Sequence, residues 1–342
     1  MYKVAIIGAG NIAKTIHIPA YLRDSSCEII AISDVNLSML NETADMFHIS
    51  KRYTDYRMMI DEIKPDIVSV CTPNRFHAEQ TIYALTHNAH VLCEKPPALC
   101  VDELIAMNLE ARKHQRILAF NLHHRYRLET VKMQQWVAQQ GKSNVYFGEV
   151  FALRRRGVPG WGSFTQKSLA GGGPLIDLGV HMLDLALYIL DFPPLRYVTA
   201  TMSNRIGKLG GLGDFGPWDG ASFSVEDSLF GQIVFQDGTS LQIQTAFTHH
   251  MTEKSKMNIK LYATQEAIEL SPLRIVQYDQ VKQEESIPFP VGLCVHPYFL
   301  RKIKGEKLDI PDGQSVLMIQ QVIDALYQSA MTNQPIFINS LD

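Results

Sequence analysis

Two regimes of hydrophobic patterning divide the chain. From Lys3 to Asn121, short apolar runs alternate with amphipathic stretches. Lys3–Ile7 (KVAII), Cys27–Ser33 (CEIIAIS), Asp66–Pro73 (DIVSVCTP), His90–Ala98 (HVLCEKPPA) and Ile117–Asn121 read as strands. Between them lie helical patterns through Ile16, Ile18 and Tyr21-Leu22, at Ala44–His48, at Tyr56–Ile63 before Pro65, and from His77 over HAEQTIYALTHNA. Nearly continuous apolar strands separated by helices predict a parallel sheet covered on both faces. Beyond Asn121 the strands lengthen and alternate with polar residues: Val145–Leu153, Ser228–Phe235, Thr239–Phe247 and Ile259–Ala263, with Asp237-Gly238 as a hairpin turn. This pattern predicts a second, α+β domain on a large, mostly antiparallel open sheet. The division is placed at 1–121 and 122–342.

Composition narrows the picture without redirecting it. At 342 residues the chain suits two domains, and 46% hydrophobic with 20% charged residues is ordinary for a globular protein. A net charge of −3 gives no general attraction to nucleic acid or anionic membrane. The densest basic run, Arg154-Arg155-Arg156, reads as solvated or locally paired. Five cysteines, an odd number without metal-site spacing, fit a reducing cytoplasm. No secretory core precedes the Gly-rich turn, and the apolar run Leu185–Leu190 reads as a core segment too short to span a bilayer. The expectation is a cytoplasmic protein with no membrane or nucleic-acid partner.

The chemistry starts with GAGNIA, Gly8 to Ala13, directly after the first strand and at the opening of a helix. Strand, Gly-rich turn, helix, strand and the acid Asp34 form a dinucleotide-binding unit. Gly8 permits the tight turn, Gly10 lets the backbone approach a pyrophosphate, and Ala13 lets the helix pack close to the sheet. Asn11 and Ile12 complete the turn at a helix N-terminus that favours phosphate. Asp34 accepts ribose hydroxyls and repels a 2′-phosphate, and Val35-Asn36 adds no cation, so NAD is expected over NADP. Ligands in such sheets gather at the carboxyl ends of strands. That rule brings together Gly8–Ala13, Asp34, Thr72–Asn74, Glu94-Lys95 and Asn121. Prolines stiffen the backbone behind Lys95, which can stabilise charge on a substrate oxygen as hydride moves. In GGGPLIDLGVHMLD, residues 171–184, Asp177, His181 and Asp184 fall at i, i+4 and i+7, one face of a helix. Asp177 and His181 are the candidate acid–base pair, Asp184 is read as structural, and the preceding glycines as a close approach for ligand. No metal is expected: His123-His124 and His249-His250 are adjacent residues that point apart on a strand, and no Cys/His cluster exists.

These motifs, in this order and at these distances, resemble the Gfo/Idh/MocA oxidoreductase family: GAGNIA, CTPN followed by His77, CEKPPA and GGGPLIDLGVHMLD. VEDSLFGQIVFQDGTSLQIQTAF is similar to the central hairpin of that family's C-terminal sheet, and VIDALYQSAMTNQPIFI to its closing helix and tail. The resemblance implies an α/β Rossmann domain followed by the α+β sheet domain, and NAD- or NADP-linked redox chemistry on sugars, inositols or related polyols. It implies catalytic roles for Lys95, Asp177 and His181. It implies that Thr72, Pro73, Asn74 and His77 line the cofactor, that Glu94 lies near the nicotinamide ribose, and that Asn121 and Trp161 approach the nicotinamide. Arg125, Tyr126, Arg154–Trp161 and the loop Asn204–Gly220 are candidates for substrate specificity, and the loop aligns with no family motif. The loop reads as a plain surface loop, as a flexible subunit contact, or as a substrate-side lid with Trp218 as a stacking platform. The C-terminal sheet suggests a homodimer or homotetramer. Two alternatives remain open at this stage: an NAD-dependent glycosidase using transient oxidation, and a non-catalytic cofactor-binding regulator. The cofactor expectation has a direct check. NAD is expected to support turnover better than NADP, and equal or faster turnover with NADP overturns the reading of Asp34.

Overall fold

The computed structural model describes residues 1–141, 144–283 and 293–338. The chain divides into two compact units, Met1–His123 with Pro290–Leu317, and His124–Phe289 with Met318–Asp342.

The first unit carries six parallel strands: β1 (Tyr2–Ile7), β2 (Cys27–Ser33), β3 (Lys51–Tyr53), β4 (Ile67–Val70), β5 (His90–Cys93) and β6 (Leu118–Phe120). Their order is β3-β2-β1-β4-β5-β6, so the sheet reverses direction of growth between β1 and β4. That reversal is the switch point at which the connections leave on opposite faces and open a crevice. The strands form where the sequence runs apolar, and the four residues of β4 are all buried. Helices follow from local signals. Asn36 caps Leu37–Met46 by accepting from Met39 N at 3.1 Å, and Asp55 caps Tyr56–Ile63 by accepting from Arg57 N at 2.8 Å.

The boundary expected at residue 121 needs one correction. The segment Pro290–Leu317 returns to the first unit, so the second domain is not continuous from 122 to 342. Backbone and side-chain bonds pin the return: Phe120 N donates to Pro311 O at 2.8 Å, and Asn108 Nδ2 to Gly313 O at 2.8 Å. Sequence patterning has no view of such long-range pairing.

The second unit is built on β7 (Val145–Arg154), β8 (Leu195–Ser203), β11 (Ser228–Phe235), β12 (Ser240–Ala246), β13 (Ser255–Ala263), β14 (Glu266–Leu270), β15 (Leu273–Gln277), β16 (Val281–Gln283) and β17 (Ile336–Phe337), while β9 (Gly211–Gly213) and β10 (Gly216–Trp218) form a separate hairpin. The large sheet runs β16-β15-β14-β13-β7-β12-β11-β8-β17. It is mixed rather than wholly antiparallel, because β7 and β12 pair in parallel. On β12, Leu241, Ile243 and Thr245 are buried while Gln242 and Gln244 are not, the period-two alternation that assigns one face to the core. Gly238, with φ +91°, makes the β11–β12 turn at Asp237-Gly238.

The core face receives the helical stretch after the triple glycine. Leu175–Gly179 forms a π-helical turn and Val180–Ile189 an α-helix. By length and composition, Lys167–Ile189 is apolar enough to cross a membrane, yet 83% of its most apolar window is buried inside the unit, as in a core helix. Asp184 is fully buried on this helix, and Arg125 grips its carboxylate through Nη2 at 2.6 Å and Nε at 2.9 Å. The guanidinium also lies 4.7 Å from the Tyr188 ring centroid. Arg125 is thus a tether of the helix, and the expectation that it contacts substrate is corrected: at 3% exposure its fork is committed to Asp184. Breaking one side of a buried pair strands the other charge, so Arg125→Met is expected to cost about 3–5 kcal/mol. Arg125→Met/Asp184→Leu is expected to recover most of that loss in urea unfolding. A single variant as stable as the wild type would contradict the tether.

Candidate active site

At the carboxyl ends of β1 and β4, the Gly-rich turn is fitted closely to its surroundings. Gly8 adopts φ +95°, and a Cβ there would lie 2.7 Å from Cys71 O, so only glycine fits. A Cβ on Gly10 would meet nothing within 4 Å. The backbone at Gly10 therefore faces open space at the start of a helix, which suits a pyrophosphate. Asn11 and Ile12 form the first residues of that helix, and Ala13 is buried at the start of its π-helical portion. Asp34 is aimed by its own chain: Oδ2 accepts from Ala9 N and Oδ1 from Asn36 N, both at 2.8 Å. Each oxygen keeps a lone pair for a ribose hydroxyl. These residues fit NAD.

The residues from β4 and β5 divide into exposed and buried rows. Thr72 and Asn74 are half-buried, and Pro73 is exposed ahead of the short turn Asn74–Phe76. His77 is fully buried, 2.9 Å from both Thr72 O and Pro96 O. It clasps the two loops together, and the expectation that its own ring lines the cofactor is corrected. Glu94 likewise turns inward. Its Oε1 accepts from His17 Nε2 at 2.8 Å and Asn121 Nδ2 at 2.7 Å, and its Oε2 from Lys95 N at 3.1 Å. His17 Nδ1 sits 3.2 Å from Ser69 Oγ and 3.1 Å from His296 Nε2, and Tyr21 closes the network on Ser69 at 2.9 Å. Burial alone would raise the Glu94 carboxyl, but the hydrogen bond and charge of His17, with Asn121 and Lys95, hold it at about 2. Glu94 is therefore a buried support for the backbone of Lys95 and not a surface ligand. Asn121 Oδ1 is buried without a hydrogen-bond partner, an acceptor left for a bound donor at the end of β6. Lys95 is half-buried at the end of β5, and the peptide bond after it is cis.

In the second unit, residues 172–187 are buried with two exceptions, Asp177 and His181. The π-helical turn at Leu175–Gly179 alters the simple i, i+4, i+7 face. It leaves these two half-open and sends Asp184 into the core against Arg125. The His181 ring meets the His124 ring edge-on at 5.1 Å. Tyr126, in the same short turn as His124, is half-buried.

The glycines before the helix have a different job from the expected one. A Cβ on Gly172 would lie 2.1 Å from the Tyr327 hydroxyl, and one on Gly173 2.1 Å from Glu226 O. They admit protein, not ligand. The space they clear belongs to Glu226, whose Oε2 accepts from Gly173 N at 2.9 Å and whose Oε1 accepts from Leu175 N at 3.2 Å and Tyr327 OH at 2.8 Å. A carboxylate thereby takes up free N–H groups at the helix N-terminus and meets its positive dipole. Sequence reasoning missed Glu226 and Tyr327, and the one signal was an acid placed just before the apolar strand Ser228–Phe235. Trp161 is 55% exposed and packs edge-on against Phe215 at 5.4 Å. Trp218 is half-buried and donates Nε1–H to Gly207 O at 2.9 Å, which ties its ring to the backbone of its own loop. Among the described residues no group of three His, Cys, Asp or Glu side chains is gathered as a metal site.

A switch-point crevice with a glycine turn and an aimed aspartate defines an NAD-binding Rossmann unit. Residues 2–122 match the family model described as "Oxidoreductase family, NAD-binding Rossmann fold", and residues 130–269 match the "GFO/IDH/MocA C-terminal domain". The chain belongs to the Gfo/Idh/MocA family. It is 40% identical over 335 residues to the D-glucoside 3-dehydrogenase of Escherichia coli (strain K12), covering 96% of this chain and 95% of that one. Levoglucosan dehydrogenase of Pseudarthrobacter phenanthrenivorans is 27% identical over 239 residues, 64% of this chain and 59% of that one. The fold matches a solved levoglucosan dehydrogenase in complex with NADH at a TM-score of 0.81 and 21% identity, over 99% of this chain and 100% of that one. It also matches an aldose-aldose oxidoreductase from Caulobacter crescentus, at a TM-score of 0.81 and 22% identity, over 98% and 99%.

The Glu226 clamp yields a stability test. Burial raises its carboxyl above the usual 4.5, against the lowering effect of Tyr327 and the Gly173 and Leu175 amides. The native state then keeps a proton that the unfolded chain releases, so stability falls as pH rises between the unfolded and folded values. Glu226→Gln is expected to flatten that part of the urea-midpoint profile. Glu226→Ala, which strands three donors, is expected to cost on the order of 3 kcal/mol. Profiles for wild type and Glu226→Gln that run parallel throughout would remove the carboxylate from this role.

Proposed function

We propose that the protein oxidises or reduces a ring hydroxyl of a sugar, of glucoside type, with Lys95, Asp177 and His181 as its catalytic residues. The observation that carries this reading is the pair of half-open ionisable residues, Asp177 and His181, on an otherwise buried helical stretch. A helix built for packing has no use for them, and a proton-transfer site has. The similarity to a D-glucoside 3-dehydrogenase over nearly the whole of both chains supports the substrate class.

In the oxidative direction His181 accepts the hydroxyl proton as general base, a task suited to imidazole near neutral pH. Asp177, on the turn before it, orients the imidazole or holds the neighbouring hydroxyl. Lys95 donates to the reacting oxygen and stabilises the negative charge that grows there as the C–H bond breaks. Its backbone is fixed by Glu94, which restricts where the amine can reach. NAD, when bound, supplies the acceptor for the hydride, and the products are a keto sugar, reduced cofactor and a proton. Gly8, Gly10, Asp34 and Asn121 are the residues we assign to holding it, with Thr72, Pro73 and Asn74 beside them. We further infer a cytoplasmic homo-oligomer that pairs through the outer face of the large sheet, where Phe147, Phe230, Gln232 and Gln242 gather.

The test is cofactor reduction across a panel of methyl glycosides, free aldoses and inositols, followed by the absorbance of the reduced nicotinamide. Stoichiometric reduced cofactor without release of the glycone supports a dehydrogenase over a glycosidase. Lys95→Met and His181→Ala are each expected to lower kcat by about a hundred- to ten-thousand-fold. NAD affinity is expected to stay within a few-fold of wild type. Full activity in either variant would refute the assignment.

A further inference from the structure

We propose that Arg154, Phe215 and Trp161, beside Asp177, form the subsite that grips a neutral pyranoside ring away from its reacting hydroxyl. The proposal rests on the sugar-oxidoreductase reading above and identifies which residues of this chain would select the sugar.

Arg154 ends β7 and begins the triple-arginine run. Its two neighbours are spent on loop carbonyls: Arg155 Nη1 donates to Thr252 O at 3.0 Å and Arg156 Nη2 to Leu212 O at 3.1 Å. Arg154 has one long hydrogen bond, Nη1 to Gly157 O at 3.5 Å, so most of its five donors remain for another acceptor. It is nevertheless held in place. A Cβ on Gly157 would lie 2.2 Å from Arg154 Cδ, so that glycine clears a channel for the stem. The guanidinium lies 4.7 Å from the centroid of the Phe215 ring, within the range of a cation–π contact.

Phe215 reaches Arg154 because the β9–β10 hairpin is stapled to the chain after β7. Gly160 N donates to Phe215 O at 2.9 Å, and Asp214 N donates to Arg156 O at 2.8 Å. Gly160 has no room for a side chain, since a Cβ would meet Pro217 O at 2.5 Å. The loop that aligned with no family motif thus delivers one aromatic ring to one arginine. Trp161 extends the wall, edge-on to Phe215 and more than half exposed. Asp177 lies near enough for its charge to act on Arg154.

An exposed indole, a planar guanidinium and a carboxylate together are the chemistry of pyranose recognition. The indole takes the C–H face of the ring, the guanidinium donates to a pair of vicinal hydroxyls, and the carboxylate accepts from one of them. Charge decides the class of sugar. An anionic sugar would meet the same Asp177 charge that acts on Arg154, so the subsite favours an uncharged ring over a phosphate or carboxylate.

The experiment measures methyl β-D-glucopyranoside binding to NAD-saturated protein by calorimetry, beside turnover, for wild type, Arg154→Met and Phe215→Leu. Arg154→Met is expected to weaken binding by about 10–100-fold, with NAD affinity and thermal midpoint unchanged. Phe215→Leu is expected to weaken it by several-fold. Wild type is expected to bind the glucoside more tightly than a hexose 6-phosphate or a hexuronate. Wild-type affinity in Arg154→Met, a wild type that prefers the charged sugars, or one that binds no pyranoside would each overturn the subsite. Binding that depends on Arg154 without any cofactor reduction would sustain the subsite and refute the dehydrogenase reading. Turnover indifferent to Arg154 would do the reverse. If Arg154→Met loses its NAD affinity or midpoint, Arg154→Lys, which keeps the stem and the charge but not the fork, takes its place with the same expected loss.

Discussion

The second unit depends on one buried carboxylate. Glu226 sits under the triple glycine and satisfies two backbone N–H groups where the π-helical turn begins. Without an acceptor there, the most apolar helix of the unit would start inside the core with open donors, which buried backbone does not tolerate. The position of Glu226 dictates its surroundings. Gly172 and Gly173 must lack side chains, Tyr327 must bring its hydroxyl in from the last helix, and the helix must start at a fixed height. Asp177 and His181 inherit that height. The next residue, Asp227, does for the loop what Glu226 does for the helix, accepting from Ile206 N at 2.7 Å and Gly207 N at 2.8 Å. Adjacent acids on one strand end thus set both the helix and the loop that carries Phe215.

The first unit solves a similar problem with different chemistry, and the two carboxyls shift in opposite directions for that reason. Burial pushes both upward. Glu226 meets only neutral donors, which do not offset the desolvation, and its carboxyl ends above the usual value. Glu94 meets His17 as well as Asn121 and Lys95, and the added charge reverses the sign. Burial by itself therefore does not predict the protonation of a supporting carboxylate; the charge of its partners does. Both acids are supports behind a presented residue, Glu94 for Lys95 and Glu226 for Asp177 and His181.

The fold and the glycine turn of the NAD-binding unit were largely legible in the sequence because they rest on local signals. Apolar periodicity separates the parallel from the mixed sheet, and the strand–glycine–helix–acid spacing locates Asp34. The supporting shell was not legible, because its partners are distant in the chain. His17 and Glu94 are 77 residues apart, Arg125 and Asp184 59, and Tyr327 and Glu226 101. In sequence, His17 is a polar residue in an apolar run and Arg125 resembles a cation waiting for substrate. Only the pairing partner shows that each is structural. The same gap explains the glycines of residues 171–173. A glycine signals close approach, but not whether the approaching atom belongs to ligand or protein.

The triple arginine shows how an apparently uniform charge run divides its work. Strand alternation sends neighbouring side chains to opposite faces, and the run lies where β7 gives way to a turn, so each guanidinium meets a different environment. Arg155 and Arg156 find backbone carbonyls and become staples between loops. Arg154 finds an aromatic ring and keeps most of its donors. Had all three been solvated, the run would report only on surface charge. Because Arg156 is spent on the loop that positions Phe215 and Arg155 on the Thr252 carbonyl, the third is held without being consumed. That combination, a fixed cation with unspent hydrogen-bond donors, separates a recognition residue from a structural one within a stretch of identical amino acids.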